Sequence, residues 1–224
     1  MCFNPKLTSR VPEFNRSSPL EALRLTGANF FGKLLDSMGN LQALYELGVK
    51  SYNFSGPIPS SFANLTKLTY LDLSANIFSR GTLSWVGKQT KLTMLRLADI
   101  SLYSDISFSI GNLTKLTLLT LGGNELTGPI PLWPANLTQL NTLWLPYNKL
   151  CGPIPTSISS LLNLQILELY PNNWSGIIEF DLFRKLNNLS YLDLSYNNLS
   201  LVIDPSTNST FQKFKVYYDW VLVT

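Results

Sequence analysis

The residue types that most often catalyse reactions are scarce in this chain. It has no histidine, which removes the commonest general base and the commonest metal ligand. Glu179 and Asp181 lie close enough along the chain to be considered as an acid and base pair, but they fall in an FDLF segment that reads as a loop. No serine or cysteine stands beside a base that would activate it. We therefore expect no catalytic, cofactor-binding or metal-binding residues, and we expect that the protein is not an enzyme.

Asparagine is the residue whose spacing most directly implies a chemical modification. The motif Asn-x-Ser/Thr is the acceptor for N-linked glycans on secreted proteins. Asn53 and Asn173 carry this motif beside a predicted turn, where we expect them to be too buried for modification. The remaining motifs predict glycosylation, in a secreted parent protein, at Asn15, Asn64, Asn112, Asn136, Asn188, Asn198 and Asn208. Three of these share the letters NLT at one repeat position, so a structural requirement for that asparagine stays open as an alternative.

The spacing of these motifs comes from an internal repeat. The pattern LxxLxL recurs eight times, and successive copies start 24 or 25 residues apart. Such regularity is the signature of a solenoid, in which no single repeat buries its own leucines and stacking forms one core. The starts are Leu20, Leu44, Leu68, Leu92, Leu116, Leu140, Leu164 and Leu189.

Each repeat predicts the same series of elements. LxxLxL is a strand whose first, fourth and sixth side chains point inward, because side chains alternate along a strand. Most copies then place an asparagine that satisfies the backbone of a turn, although Ala28, Tyr52 and Ile100 interrupt this column. A Gly-x-Ile-Pro element turns the chain and ends strand pairing. Segments such as residues 60–67 and 156–163 then favour a short 3₁₀ turn on the outer side.

Side chains between the inward leucines are predicted to form the binding surface. In a solenoid the strands build a concave parallel sheet, and its outward side chains are the usual interface. Exposed aromatic residues with charged neighbours favour ligand recognition, although they could also do no more than cover the sheet. The predicted ligand-binding residues are Arg24, Tyr70, Asp72, Arg96, Trp144, Tyr147, Glu168, Tyr170, Tyr191 and Asp193.

Composition and cysteine spacing argue against a nucleic-acid partner, a membrane segment and a disulfide. A net charge of +3 and scattered lysines argue against nucleic acid as a partner. No apolar run reaches the roughly 18 residues that cross a bilayer, and the N-terminal residues do not form a signal peptide. Cys2 and Cys151 are separated by six repeats, so we expect roughly 25 Å or more between them and no disulfide.

The motif LxxLxLxxNxLxGxIP closely resembles the plant-specific class of leucine-rich repeats, over about residues 20–200. Flanking stretches such as SFANLTKLTYLDLS and FDLFRKLNNLSYLDLSYNNLSL are similar to ectodomains of Cf-type and Verticillium-resistance-type receptor-like proteins. The resemblance implies a right-handed α/β repeat solenoid with a concave parallel sheet and a convex side of 3₁₀ turns and loops. We divide the chain into a partial repeat at 1–19, eight repeats at 20–212 and a broken ninth repeat at 213–224. In the ninth repeat Phe214 and Tyr217 fall at inward positions, and Asp219 falls where an inward leucine belongs.

The resemblance implies a function in recognition. The expected role is a segment of a plant cell-surface receptor, in defence or development, that binds a protein or peptide by its concave or lateral face. A partner receptor kinase would carry the signal, and the parent protein would sit at the extracellular face of the plasma membrane. We expect this chain to be a fragment without its own signal peptide, cysteine-paired cap or membrane helix. The alternatives are a secreted inhibitor of fungal polygalacturonase and a non-functional truncated product.

Overall fold

The computed structural model describes residues 4–25, 28–50, 53–202 and 215–217. In this part of the chain, the LxxLxL segments form short parallel strands joined into one nine-stranded sheet, here called the main sheet. Adjacent strands pair in strict register, so that Leu71 lies beside Leu95 and Leu119 beside Leu143. The strands are Ala22–Arg24, Glu46–Gly48, Tyr70–Asp72, Met94–Arg96, Leu118–Thr120, Thr142–Trp144, Ile166–Glu168, Tyr191–Asp193 and Lys215–Tyr217.

The inward leucines form a single hydrophobic core along the solenoid. From the second repeat to the seventh, the three inward side chains of each strand are fully buried, with Val49 in place of the third leucine in the second repeat. Leu20, Leu23 and Leu25 of the first repeat are only partly buried, because they lie close to the end of the stack. The predicted repeat solenoid with a parallel sheet is therefore confirmed.

The outer side carries the short helical turns that the sequence predicts. Residues 60–67 and 156–163 each contain one, and a further segment is a single α-helical turn at Asp181–Arg184. The interpretation of the FDLF segment as a loop was therefore wrong. The 3₁₀ helices are Asp36–Asn40, Ser60–Asn64, Val86–Lys88, Phe108–Asn112, Trp133–Asn136 and Thr156–Ser160.

A second set of parallel strands, the side sheets, follows each asparagine turn and was not predicted. The residues just before the Ile-Pro element pair with the equivalent residues of the neighbouring repeat. The glycines of these strands adopt positive φ, as Gly128 does at 72°. One sheet has the strands Gly32–Lys33, Phe54–Gly56 and Ile77–Phe78. The other has Tyr103–Asp105, Glu125–Gly128, Lys149–Gly152, Asn173–Glu179 and Asn198–Val202. A third pair of strands, Asn4–Ser9 and Ala28–Phe30, lies near the N-terminus.

The two side sheets are separated where the repeat departs from its pattern. Only a single bridge, between Gly81 and Leu102, connects them. In this region Ile100 replaces the asparagine, and Ser101 and Ser104 take positive φ. The main sheet continues through the same repeats, so the irregularity is confined to the turn side.

The last strand is shifted from the predicted register. Val216 pairs with Leu192, whereas the sequence pattern placed Phe214 and Tyr217 at the first two inward positions of a ninth repeat. The observed register is one residue earlier. Asp219 and the rest of the predicted broken repeat outside 215–217 lie outside the described residues.

Buried asparagine side chains hold neighbouring turns together. The Asn124 Oδ1 atom accepts hydrogen bonds from the backbone N–H groups of Ile100 (3.1 Å) and Leu102 (3.0 Å), both in the preceding repeat. Its Nδ2 group donates to the carbonyl of Leu97 in that repeat and to that of Leu121 in its own, each at 2.8 Å. The sequence predicted bonds within one turn, and the structure adds bonds between repeats.

The same arrangement recurs along the solenoid. Asn76, Asn148, Asn172 and Asn197 each accept from a backbone N–H of the preceding repeat and donate to backbone carbonyls. Each side chain thus satisfies turn groups that would otherwise be buried without a partner. An unsatisfied buried group costs about 1–3 kcal/mol, so the column contributes strongly to stability.

Replacing Asn124 by alanine tests this role. The substitution leaves two backbone N–H groups without their acceptor, and we expect a loss of about 3 kcal/mol or more in the free energy of unfolding. Urea denaturation followed by circular dichroism measures this change.

The matched control is Asn163→Ala. Asn163 is exposed and its side chain makes one bond, to the Thr138 carbonyl at 2.8 Å. Its removal is expected to cost about 1 kcal/mol or less. Equal losses in the two variants would show that the buried column has no special role.

Candidate ligand-binding face

The concave face consists of the outward side chains of the main sheet. From the second repeat to the eighth, the middle residue of the strand is an inward, buried leucine, as Leu95 and Leu143 are, and the residues on either side point away from the core. Leucine is therefore fixed at the middle position, while the flanking positions vary freely in chemistry. All ten residues predicted to bind ligand lie on or beside this face.

The first repeats carry charges that are already paired. Arg24 forms an ion pair with Glu46. The hydrogen bond between their side chains is the main cause of the raised pKa of Arg24. The Arg24 guanidinium also lies 5.4 Å from the centre of the Tyr70 ring. The Tyr70 hydroxyl donates to Asp72 at 3.3 Å, and burial raises the pKa of this phenol. This end of the face is satisfied by its own contacts.

Two predicted binding residues are less accessible than expected. Asp72 and Asp193 occupy equivalent positions but are 6% and 5% exposed. Each carboxylate accepts the backbone N–H of the residue two positions on, Ser74 or Ser195, at 3.0 Å. The Leu-Asp-Leu-Ser motif, which occurs in both repeats, is the sequence signal for this local bond. The two aspartates therefore hold the backbone that follows their strands, with or without a ligand.

A groove of about 350 Å³ occupies the middle of the concave face. Arg96 lines it, is half-buried, and has an Nε atom that is buried without a hydrogen-bond partner among the described residues. Lys50 and Asp99 lie on its rim and were not among the predicted residues. They follow the strand rather than belong to it, so strand alternation could not identify them. The groove joins side chains from six repeats, the second to the seventh, into one surface.

The far end of the groove leads to an aromatic-acidic cluster, which we define as Trp144, Tyr147, Glu168, Tyr170 and Asp193. The indole Nε1 of Trp144 donates to Glu168 Oε2 at 2.6 Å. The rings of Tyr147 and Tyr170 meet edge to face with their centres 5.8 Å apart. The cluster thus spans three consecutive repeats.

Burial and neighbouring charge set the protonation of this cluster. The pKa of Glu168 is raised mainly by burial and further by Asp193, while the Trp144 hydrogen bond opposes the shift. The pKa of the Tyr170 phenol is raised by burial first and then by Tyr147, Glu168 and Asp193. Tyr170 therefore stays neutral and close to both carboxylates.

A glycine fixes the orientation of Trp144. A Cβ atom on Gly122 would lie 2.3 Å from the Trp144 ring, so the indole packs directly over the glycine backbone. Tyr147 takes a positive φ of 55° and is 57% exposed, and Tyr196, in an equivalent position, is 67% exposed. Trp144, Tyr170 and Tyr191 are half-buried rather than fully open to solvent.

The predicted glycosylation sites lie away from the main-sheet strands. Asn53 and Asn173 are exposed, so the expectation that burial prevents their modification was wrong. Each lies where the chain enters a side sheet, and Asn173 directly follows the buried turn asparagine Asn172. Asn208 lies outside the described residues, and the exposed asparagines with this motif are Asn15, Asn53, Asn64, Asn112, Asn136, Asn173, Asn188 and Asn198.

Other candidate chemistry is sparse in the part of the chain that the structure describes. There, no three His, Cys, Asp or Glu side chains come together as a metal site. Cys151 is a free, exposed thiol, and Cys2 lies outside the described residues. None of the described helices has the length and apolar character to cross a membrane.

Comparison with known proteins gives consistent results. The family model of the Leucine Rich Repeat matches residues 115–137, 139–161 and 188–209. A search of curated proteins finds no match. The chain is similar to the ectodomain of the Arabidopsis thaliana membrane receptor kinase GASSHO1/SCHENGEN3, solved in complex with CASPARIAN STRIP INTEGRITY FACTOR 2, with 32% identity over 94% of this chain and a TM-score of 0.82.

Two further structures have the same fold. The Arabidopsis receptor kinase HAESA, solved with the peptide hormone IDA and the co-receptor SERK1, is 30% identical over 94% of this chain with a TM-score of 0.81. The plant peptide hormone receptor RGFR1, solved with RGF2, is 28% identical over 96% with a TM-score of 0.82. The chain covers 26% of the first receptor structure, 36% of HAESA and 35% of RGFR1.

These matches agree with the nine-stranded main sheet, the asparagine column and the side sheets. The chain is a plant-type leucine-rich-repeat protein with the solenoid fold of plant receptor ectodomains.

Proposed function

We propose that this chain is a ligand-recognition segment of a plant cell-surface receptor and that it binds a peptide along its concave face. The observation that carries the proposal is the groove, which Arg96 lines with an Nε atom that has no hydrogen-bond partner among the described residues. An unsatisfied guanidinium nitrogen in a partly enclosed surface gains a hydrogen bond when a ligand supplies an acceptor. The aromatic-acidic cluster extends the same surface toward the last repeats.

The relatives support a peptide as the ligand. HAESA was solved with the peptide hormone IDA and the co-receptor SERK1, and RGFR1, a plant peptide hormone receptor, was solved with RGF2. By analogy, a partner receptor kinase would complete the signalling complex of this protein. The parent protein would then face the cell exterior, in defence or development, as Cf-type receptor-like proteins do by family resemblance.

A secreted polygalacturonase inhibitor is the second candidate. It uses the same repeat, and its target is a folded enzyme rather than an extended peptide. A groove of about 350 Å³ that crosses several adjacent strands favours the peptide. Inhibition of a fungal polygalacturonase by the purified chain, at equimolar concentration, would favour the inhibitor.

A truncated, non-functional product is the third candidate. Against it, the described core is continuous from Val11 to Leu201. Secretion as a monodisperse, folded protein would further favour a working module, and aggregation would favour the truncated product.

Peptide selection tests the proposed surface. A displayed library of random 12-residue peptides is selected on the secreted chain, and the affinity of enriched peptides is measured by biolayer interferometry. We expect Arg96→Ala and Trp144→Ala each to weaken binding about tenfold or more, because each removes a groove contact.

The matched control is Phe108→Ala on the convex side. Phe108 is 76% exposed, so its removal deletes an exposed aromatic ring without touching the groove. Binding is expected to stay within about twofold of the unmodified chain. The proposal is wrong if Phe108→Ala weakens binding while the two groove variants do not.

Mapping of the glycans provides an independent test of the proposed concave binding face. Asn64, Asn112 and Asn136 are exposed at the ends of 3₁₀ turns, and we propose them as occupied sites. Asn188 is also exposed, but its side chain donates to the Leu162 carbonyl at 3.0 Å, so we expect lower occupancy there. Mass spectrometry after enzymatic deglycosylation in ¹⁸O-water measures each site.

Enzymatic removal of the glycans is expected to leave the affinity of selected peptides within about twofold, because these asparagines lie outside the main-sheet strands. A large change in affinity would place a glycan in the binding surface and contradict the proposed face.

A further inference from the structure

Charges on the concave face are balanced differently at its two ends. In the first repeats, Arg24 pairs with Glu46 and also contacts Tyr70, whose hydroxyl binds Asp72. In the seventh and eighth repeats, Glu168 and Asp193 lie side by side on adjacent strands, in direct register. Among the described side chains, no lysine or arginine forms an ion pair with either carboxylate. Within the described part of the chain, this end of the face therefore carries two carboxylates without a paired cation.

The hydrogen bonds of these two carboxylates do not supply the missing charge. Glu168 accepts from the neutral indole of Trp144, and Asp193 accepts from the backbone and hydroxyl of Ser195. Two neighbouring acidic groups repel each other, and this repulsion contributes to the raised pKa of Glu168.

Aromatic residues accompany the same carboxylates. The Tyr170 ring meets that of Tyr147 edge to face, and burial together with the charges of both acidic groups raises the pKa of the Tyr170 phenol. The Trp144 indole donates to Glu168 and packs over the Gly122 backbone. Aromatic faces attract cations, and the attraction is stronger for partly desolvated groups. The aromatic rings and the negative charge of the carboxylates thus both favour a cationic ligand group.

We propose that the aromatic-acidic cluster binds the side chain of an arginine in the peptide ligand. The guanidinium is planar, so it can stack on a tyrosine or tryptophan ring and still direct paired N–H donors at a carboxylate. Lysine concentrates its charge on one strongly hydrated ammonium and lacks this double match. The inference rests on the proposed function and specifies which peptide residue this end of the groove selects.

A small probe tests the cluster without any peptide. N-acetyl-arginine amide is titrated into ¹⁵N-labelled chain, and the indole N–H signal of Trp144, identified with Trp144→Phe, reports binding. We expect a saturable shift with a dissociation constant in the millimolar range. N-acetyl-citrulline amide has nearly the same shape without the charge, and it should bind at least tenfold more weakly.

Matched variants separate charge from folding. Glu168→Gln keeps an acceptor for Trp144 but removes the charge, and it should weaken arginine amide binding at least fivefold. Glu179→Gln removes an exposed carboxylate on a side sheet and should stay within twofold. Dispersed indole signals in both variants show that each remains folded.

Three results would overturn the inference: equal binding of arginine and citrulline amides, binding of lysine amide as tight as that of arginine amide, or unchanged binding in Glu168→Gln. These results leave the peptide-selection experiment unaffected, because selected peptides can still occupy the groove around Arg96. Conversely, arginine amide can bind the cluster even if peptide selection fails. The two proposals therefore fail separately.

Discussion

The buried asparagine column is the interaction on which the rest of this structure depends. Leucine packing alone would hold the strands in a core, but it is non-directional and does not fix how one turn sits on the next. Asn124 joins two repeats through bonds to backbone groups on both sides of the interface. Because each asparagine makes similar bonds, the turns that carry one are stacked in the same way and the side strands after them pair, whereas at Ile100, where the asparagine is missing, only the side sheets are separated and the main sheet stays in register.

The register of the main sheet produces the proposed binding surface. Equivalent positions of successive repeats lie side by side, so residues far apart in sequence become neighbours. Trp144 and Glu168 are 24 residues apart and form a hydrogen bond of 2.6 Å. A rigid sheet of this kind holds its outward side chains in place before a ligand arrives, which reduces the entropy lost on binding. Recognition then depends on side-chain chemistry alone, and the solenoid can change ligand without changing fold.

The sequence predicted the periodic parts of the molecule well. Leucines at fixed spacing gave the strands, their inward side chains and the turns on the outer side. The aromatic and charged positions of the concave face also followed, because strand alternation determines which side chains point outward. Contacts between repeats were harder to predict. The bonds from Asn124 to the preceding repeat, and the meeting of Tyr147 with Tyr170, depend on how the turns are stacked.

The errors also have physical causes. The Gly-x-Ile-Pro element suggested an end to strand pairing, but the residues before the proline keep their N–H groups and form the side sheets. Asn53 and Asn173 were predicted to be buried because they are close to the turn in sequence. Side-chain alternation turns them away from the core, and both are exposed. Asp72 and Asp193 point outward as expected, yet local bonds to the following serine backbone bury them.

The central claim is that a peptide lies along the concave face of the stacked strands. The most direct test is photo-cross-linking of a selected peptide that carries a diazirine side chain, followed by mass-spectrometric mapping of the attachment sites. We expect the ligand peptide to be attached to the proteolytic fragments of the chain that contain Arg96, Trp144 or Tyr170. Attachment confined to the 3₁₀ turns or to the side sheets would contradict it.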